Sequence, residues 1–426
     1  MLSDHIKLSK LAKLSVLFIV LVISANVTFR VFEGMKTRNF VMSSDMEGYY
    51  QYLPYVLLKD REEISQMRWA KPYGEDKKLN AFTCGVAIMQ LPFFLVAHGV
   101  TKYLELEPTG YGPVYFTSVF IATIFYVLAG LIFLYYWLMR FFKPKIAGWV
   151  TGLVFVATNL FYYTAISPGM SHAYSFSLVA MYLYFVPRFY EQTTFKNTLL
   201  TAFPIALLTL IRPTSLVLAL YFVLYDVTSF SALKERIVFF VRKWNYMVLF
   251  PIVGFIVFIP QMLYWHEVTG SYFFYSYQEE GFTNILSPKI FTVLLGPRNG
   301  WFIYTPLMLV AFITLLYLVY RKKLNSIPTL IVLVIIIYLN GSWWRPTFSS
   351  AAGYRALIEY IPLMAVPLGF FIEKVSERDN KRLKQLMIAV FALFVIYNIL
   401  FAFKYSPWLW WNTDWQWSHF LRLIKF

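Results

Sequence analysis

The sequence contains a single cysteine, Cys84, in 426 residues. One thiol cannot close an intramolecular disulfide or build a cysteine-based metal cluster, so both kinds of site are excluded. Charged residues make up only 14% of the chain, and acids are scarce, with 22 Asp and Glu against 38 Lys and Arg. Soluble domains carry roughly 25% charged residues, so this composition is too apolar for a soluble domain of this length.

The chain is instead rich in hydrophobic and aromatic residues. Hydrophobic residues form 59% of the chain, aromatic residues form 20%, and the mean hydropathy is +0.58. Many runs reach the roughly 20 apolar residues that cross a bilayer core. The net charge of +16 lies in short loops between these runs, a pattern typical of membrane proteins facing anionic lipid. We therefore expect the lipid bilayer as a partner and no nucleic acid.

The apolar runs predict an all-α polytopic membrane protein with about 11 transmembrane helices. The predicted spans begin near Leu11, Gly112, Ala147, Ser171, Thr198, Thr214, Tyr246, Phe302, Ile327, Arg355 and Leu386. Basic residues precede the first span and cluster in alternate loops, which the positive-inside rule places in the cytoplasm. We expect a plasma (inner) membrane protein with a cytoplasmic N-terminus, an extracytoplasmic C-terminus and one domain over residues 1–426.

The apolar segment 80–100 is the uncertain part of this topology. Counting it as a span would move the basic loop at 140–145 to the outside and invert every later loop. We therefore predict that it lies in the outer interface or re-enters without crossing, which Pro92 in its middle favours. A twelfth span is the alternative. On the preferred reading, the first outer loop covers residues 33–111 and the second covers 265–301.

An acidic motif lies in the first outer loop, where Asp45 and Glu47 precede Gly48, Tyr49 and Tyr50. A carboxylate at the membrane surface can take a proton from an acceptor hydroxyl or amine. The alternative is that Asp45 only caps the following helix, because acids are favoured at helix N-termini. Two neighbouring acids also suit a divalent metal. No second cluster of Asp, Glu and His accompanies them, so no metal or cofactor is assigned.

Further candidates lie at the outer ends of the predicted spans. They are His172, Arg212, Arg298 with its neighbour Asn299, Arg345 and Arg355. A charge within apolar sequence usually faces a cavity or an anion, and the arginine guanidinium suits bidentate phosphate binding. The alternatives are a hydrated interfacial histidine and arginines that snorkel to headgroups. Four arginines on one face favour a shared anionic ligand more than any one of them does alone.

Two other groups of residues on the predicted outer face are expected to have structural rather than catalytic roles. Glu279 and Glu280 in the second outer loop are expected to be solvated, with acceptor binding as the alternative. The tryptophans of the C-terminal tail are expected to anchor the chain at the interface, with sugar stacking as the alternative. They are Trp408, Trp410, Trp411, Trp415 and Trp417.

Several short motifs together resemble the C-type glycosyltransferases, polytopic enzymes that use polyprenyl-phosphate sugars. The motifs are SDMEGYYQYLP (44–54), GVAIMQLPFF (85–94), SPGMSH (167–172), IRPT (211–214), NGWFIYTP (299–306), and SWW (342–344) with GYR (353–355). The resemblance is to the protein O-mannosyltransferase and aminoarabinose transferase-like branch, which includes uncharacterised bacterial members. It implies a fold of that type, with outer-face juxtamembrane helices, one of them at 80–100.

The resemblance also implies roles for residues. Asp45 would be the catalytic base, with Glu47 as its helper, and Tyr49 and Tyr50 would bind substrate beside His172 and the arginines. Met46 separates the two acids, which are adjacent in many members of the family. His172 stands where some members carry a second acidic motif, and this difference gives no support to a metal-dependent mechanism.

The expected function is transfer of a sugar from a polyprenyl-phosphate donor to a saccharide, lipid or protein acceptor on the extracytoplasmic face. A transporter or flippase for lipid-linked saccharides is one alternative. A polysaccharide polymerase or ligase with a diphosphate-linked donor is another.

Overall fold

The computed structural model describes residues 45–59, 70–74, 77–348, 351–405 and 416–424. The first part comprises α1 (Asp45–Tyr50), α2 (Tyr52–Leu57), strands β1 (Ala70–Tyr73) and β2 (Lys77–Asn80), α3 (Gly85–Tyr103), α4 (Pro113–Leu138), α5 (Pro144–Val156), a π-helical turn (Tyr162–Ile166), α6 (Ser171–Glu191), α7 (Phe195–Ile211), a 3-10 helix (Pro213–Leu218) and α8 (Ala219–Val223).

The second part begins with α9 (Phe230–Arg242), α10 (Trp244–Met247), α11 (Leu249–Thr269), α12 (Ile290–Leu295) and α13 (Trp301–Tyr304). It continues with α14 (Pro306–Tyr320), α15 (Ser326–Ser342), a second 3-10 helix (Arg355–Tyr360), α16 (Ile361–Glu377), α17 (Lys381–Lys404) and α18 (Trp417–Ile424). The chain is therefore a predominantly helical, polytopic membrane protein, as its composition predicted.

Five segments among the described residues are long and apolar enough to cross a membrane by length and composition. They are Gly85–Tyr103, Pro113–Leu138, Trp244–Thr269, Arg355–Glu377 and Lys381–Lys404. Each predicted span within the described residues corresponds to a helix, although several are shorter than a full span. The predicted span near Leu11 lies outside the described residues, so the count of about 11 spans stays a prediction.

The helices of the bundle run between two ends of different character. At one end, Arg140 bonds Glu191, and Asn325 Nδ2 donates to Asp226 Oδ1 at 2.8 Å. These bonds bring the basic loops together, and we call this the basic end. At the other end, which we call the site end, Asp45 contacts Arg355. The positive-inside rule assigns the basic end to the cytoplasm, and that orientation stays a prediction.

The segment predicted as a span near Thr214 is not a continuous α-helix. It runs as a 3-10 helix, Pro213–Leu218, into the short α8. Tyr182 donates to Leu218 O at 3.2 Å, and Tyr190 donates to Phe222 O at 2.6 Å. The segment therefore runs alongside α6 toward the basic end. A 3-10 helix rises about 2.0 Å per residue against 1.5 Å in an α-helix, so fewer residues cover the same depth.

The helix α3 covers most of the uncertain segment 80–100. It continues through Pro92, so the proline does not break it. Its first residue, Gly85, lies against Ile211 beside Arg212, and the loop after its last turn reaches Tyr50 through Gly110. Both ends of α3 therefore contact the site end, which favours a helix that does not cross. Its length and hydropathy would also allow a span, so this topology stays a prediction.

The antiparallel β-hairpin β1–β2 is an element that the sequence did not predict. Asn80 Nδ2 donates to Gly48 O at 2.7 Å, and the Asn80 amide donates to the Tyr264 hydroxyl at 2.8 Å. Phe82 then packs so close to Gly48 that a Cβ there would lie 2.1 Å from its ring. Gly48 therefore has a packing role, which ties α1 to the hairpin, and the hairpin contacts α11.

Reporter fusions would test the orientation. We expect a reporter fused after Lys102 to be extracytoplasmic and one fused after Lys143 to be cytoplasmic, because α4 separates them and basic loops stay inside. Paired alkaline phosphatase and green fluorescent protein fusions measure the two locations. An extracytoplasmic Lys143 would overturn the orientation of the whole bundle.

Candidate functional site

An ion pair at the site end joins the acidic motif to the 3-10 helix that precedes α16. Arg355 Nη2 lies 2.9 Å from Asp45 Oδ2, and both side chains are largely buried. Asp45 is the first residue of α1, so it occupies the helix-start position expected of a capping acid. Its carboxylate is nevertheless bound by a side chain more than 300 residues away in sequence, so capping alone does not describe it.

A second, deeper cluster contains Arg212, His172 and Glu359. Arg212 Nη1 lies 2.8 Å from His172 Nδ1 and 3.4 Å from both carboxylate oxygens of Glu359. His172 Nδ1 lies 3.0 Å from Glu359 Oε2. The Glu359 side chain is only 1% exposed. The predicted alternative of a hydrated His172 is wrong, because its ring is buried between a cation and a carboxylate.

One nitrogen of His172 faces two partners. Nδ1 of a neutral imidazole either carries the proton or accepts one, and its tautomer is set by the bond that it makes. With the proton on Nδ1, His172 donates to Glu359. Without it, Nδ1 accepts from Arg212. The position of one proton therefore selects which of the two contacts is a hydrogen bond.

The conformation of the chain explains why these side chains meet. Pro213 disfavours a helical conformation for the residue before it, so Arg212 is extended, with φ −145° and ψ 103°, at the end of α7. Gly169, at φ +92°, turns the loop before α6 and places His172 in the first turn of that helix. Both side chains reach the 3-10 helix Arg355–Tyr360 from the side of neighbouring helices.

The 3-10 helix distributes its two charges to different partners. Arg355 and Glu359 are four residues apart, a spacing that in an α-helix places two side chains on one face. With three residues per turn they are instead about 120° apart. Arg355 therefore contacts Asp45, while Glu359 contacts Arg212 and His172. One short element thus supports both parts of the site.

Tyr49 belongs to the site, whereas Tyr50 does not lie in it. Ser171 Oγ donates to the Tyr49 hydroxyl at 3.0 Å. Burial, together with the nearby Asp45 carboxylate, raises the pKa of Tyr49 to about 12, so its phenol stays neutral and can donate a hydrogen bond. The Tyr50 hydroxyl donates to Gly110 O at 2.5 Å, and its ring packs on Phe94 within the core.

Arg298 and Arg345 lie close enough for their charges to interact. Burial, together with the positive charge of Arg345, lowers the pKa of Arg298, although arginine stays charged at physiological pH. Asn299 is buried at φ +66° and donates from Nδ2 to Thr347 O at 2.8 Å, which joins the two arginine loops. The structure therefore divides the four predicted arginines into two pairs. Arg212 and Arg355 have carboxylate partners, and Arg298 lies near Arg345.

The remaining predictions concern Glu47, Glu280 and the tail tryptophans. Glu47 lies in the same turn as Asp45 and is half-buried. Glu280 is paired with Lys71 at 3.4 Å rather than only solvated. Among the tail tryptophans, Trp417 is the exposed first residue of α18. The others lie outside the described residues, namely Trp408, Trp410, Trp411 and Trp415.

Glu359 is the site residue that the sequence analysis missed. The available signal was an acid inside the apolar segment Arg355–Glu377, because an ionisable residue within a membrane helix is costly and usually functional. Within the described part of the chain, no group of three or more His, Cys, Asp or Glu side chains could hold a metal ion.

The arrangement combines a carboxylate, a neutral phenol and fixed guanidinium groups at one end of a membrane bundle. A carboxylate of this kind can accept a proton. Guanidinium groups held by buried partners can stabilise negative charge that develops nearby. These groups suit a reaction in which a nucleophile loses a proton and an anionic group departs.

Comparisons with known proteins found similarity to solved structures but no match by sequence. No protein-family model matches the chain, and no curated protein matches its sequence. The chain is similar to the crystal structure of ArnT from Cupriavidus metallidurans in the apo state, with 11% sequence identity and a TM-score of 0.49. The match covers 84% of this chain but only 64% of the ArnT chain. A likeness of this degree assigns neither a family nor an activity.

Replacing Glu359 should destabilise the protein, because Arg212 loses its carboxylate partner. We expect Glu359→Gln to lower the free energy of unfolding by about 3–5 kcal/mol, because it leaves a mostly buried guanidinium without its carboxylate. Adding Arg212→Gln should restore part of that loss, since the uncompensated charge is then removed. Denaturant titration of the purified protein in mixed micelles measures both variants.

The control is Glu280→Gln, which breaks the more exposed pair with Lys71. It should cost about 1 kcal/mol or less, as partly exposed ion pairs do. Equal losses for Glu359→Gln and Glu280→Gln would contradict the assignment of a buried ionic cluster.

Proposed function

We propose that the chain is a membrane glycosyltransferase that transfers a sugar from a polyprenyl-phosphate donor to an acceptor on the extracytoplasmic face. The observation that carries this proposal is the buried ion pair between Asp45 and Arg355, beside the cluster of Arg212, His172 and Glu359. The arrangement supports chemistry at the membrane surface, because these charged groups converge on one end of an apolar helical bundle. The acceptor is a saccharide, a lipid or a protein.

Asp45 is the proposed catalytic base. It would take the proton from the acceptor hydroxyl or amine, whose oxygen or nitrogen then attacks the anomeric carbon. The bond from that carbon to the phosphate oxygen breaks, and the lipid phosphate leaves with the electron pair. Because attack and departure occur on opposite faces, the anomeric configuration inverts. Arg355 holds one carboxylate oxygen of Asp45, which supports this role by orienting the base.

The arginines are proposed to bind the donor phosphate and stabilise its departure. Arg212 and Arg355 each have a carboxylate partner, so much of their charge is balanced before substrate binds. Arg298 and Arg345 lie near one another at the same end and strengthen the local positive potential. A well-placed donor to a developing negative charge is worth about 3–4 kcal/mol in the transition state. The polyprenyl tail would lie between helices in the apolar layer.

Tyr49 is the proposed neutral donor of the site. Its oxygen already accepts a hydrogen bond from Ser171, which directs its own hydrogen toward another acceptor. With a pKa of about 12, the phenol keeps that hydrogen at physiological pH. It can therefore donate to a sugar or phosphate oxygen without adding a negative charge next to Asp45.

A radiolabelled polyprenyl-phosphate sugar tests the reaction in vesicles containing the purified protein. We expect sugar to appear on an acceptor together with free lipid phosphate. Movement of the intact labelled lipid between leaflets, with no release of lipid phosphate, would show a transporter instead.

The variant Asp45→Asn tests the base. The amide keeps the shape of the side chain but cannot accept the acceptor's proton, so transfer should fall by about 10²–10⁴-fold. Glu107→Gln, which removes an exposed acid from the same predicted outer loop, is the matched control and should transfer at the parental rate. Normal insertion of Asp45→Asn with unchanged transfer would show that Asp45 is not the base.

A further inference from the structure

The helix α9 lies at the basic end and takes no part in the proposed reaction. It begins after Ser229, whose hydroxyl accepts from the Ala232 amide at 3.1 Å and caps the helix. It connects the segment ending at Val223 to the membrane-length segment Trp244–Thr269. Its position along the chain therefore keeps it at the level where two predicted spans leave the apolar layer.

One face of α9 packs against the protein. Phe240 stacks on Phe222 with ring centroids 5.6 Å apart, and Phe239 lies 5.6 Å from Tyr190. Arg236 donates to Tyr225 O at 2.6 Å and lies over the ring of Tyr190. These side chains are three and four residues apart, so they share one side of the helix. No residue of α9 is fully buried, so the rest of its surface faces away from the bundle.

A second face is apolar and exposed. Phe230, Ile237 and Val241 follow one another at helical spacing on α9, with Ile237 55% and Val241 68% exposed. Exposed apolar side chains continue beyond its end at Trp244 and Val248 and along α11 at Ile252 and Ile256. These residues belong to a segment apolar enough to cross a membrane, so the apolar face of α9 leads along the chain into a surface suited to lipid.

The third face is polar. Ser231, Glu235 and Arg242 project between the other two faces and are exposed, and Lys234 borders the apolar stripe. Lys234 and Arg242 are therefore the exposed basic side chains of α9, and they oppose one exposed acid, Glu235. A helix with an apolar face flanked by polar and basic side chains matches the boundary between acyl chains and headgroups. Basic side chains at that depth are attracted to anionic lipid.

We propose that α9 is an interfacial helix that lies in the plane of the leaflet at the basic end and binds anionic phospholipid headgroups. Phe230, Ile237 and Val241 enter the acyl layer, while Lys234 and Arg242 contact the lipid phosphates. The continuity of the apolar stripe with α11 identifies the occupant as lipid, and the basic side chains identify its headgroup as anionic. This role is independent of the proposed glycosyl transfer.

The single, buried cysteine makes the orientation directly measurable. Because Cys84 is buried, nitroxide labels attach selectively to cysteines introduced on α9. Ile237→Cys and Val241→Cys sample the apolar face, and Ser231→Cys and Glu235→Cys sample the polar one. In vesicles, we expect the first two labels to collide mainly with oxygen and the last two with a water-soluble nickel chelate. Preferential collision of all four with the nickel chelate would overturn the interfacial placement.

The lipid preference is tested with a fluorophore at Ile237→Cys and brominated lipids at equal mole fraction. Brominated phosphatidylglycerol should quench the fluorophore more than brominated phosphatidylcholine does. The double variant Lys234→Gln with Arg242→Gln should lose most of that excess quenching. The control is the double variant Lys381→Gln with Arg382→Gln, which removes the same number of positive charges from exposed positions on α17. It should keep the excess quenching by brominated phosphatidylglycerol. Equal quenching by both lipids, or equal loss in both double variants, would overturn binding of anionic lipid.

Discussion

Arg212 carries a positive charge into the interior of the helical bundle, and that charge requires a partner within the protein. Glu359 and His172 supply it, at distances of 3.4 and 2.8 Å. An uncompensated charge in such a place would cost several kcal/mol, so the end of α7, the start of α6 and the 3-10 helix before α16 must stay together. The same 3-10 helix presents Arg355 to Asp45. The geometry of the acidic motif therefore depends on the buried cluster beside it.

The distribution of polar groups follows the same constraint. α6 is buried along most of its length, and several of its polar side chains have partners inside the bundle. Ser177 donates to Tyr126 O at 2.6 Å, and Tyr174 shares a hydrogen bond with Thr123 at 2.9 Å. The outer helices α11 and α17 instead expose apolar side chains. A polar group surrounded by hydrocarbon must be satisfied by protein, which explains why the polar helix is central and the apolar ones are peripheral.

Only part of the site was predictable from the residues. Asp45 was identified from the acidic motif of the first outer loop. His172, Arg212 and Arg355 were identified because charged or polar residues at the ends of apolar spans are costly to keep. Tyr50 followed the same motif but packs in the core, because neighbouring residues of a helix point in different directions. Glu359 was missed although it is an acid inside an apolar segment, and its partners, which lie far away in the chain, are not indicated by its local sequence. The β-hairpin was equally hidden, since its contacts with Gly48 and Tyr264 join segments distant in the chain.

The sequence by itself determined that this is a helical membrane protein, where most of its helices lie, and which loops are basic. Those properties depend on local composition, since about 20 consecutive apolar residues suffice to predict a span. Tertiary structure alone decided that Arg355 pairs with Asp45 while Arg212 pairs with Glu359. The reason is geometric: a 3-10 turn rotates Arg355 and Glu359 about 120° apart, and only packing between distant helices determines which charge each of them meets.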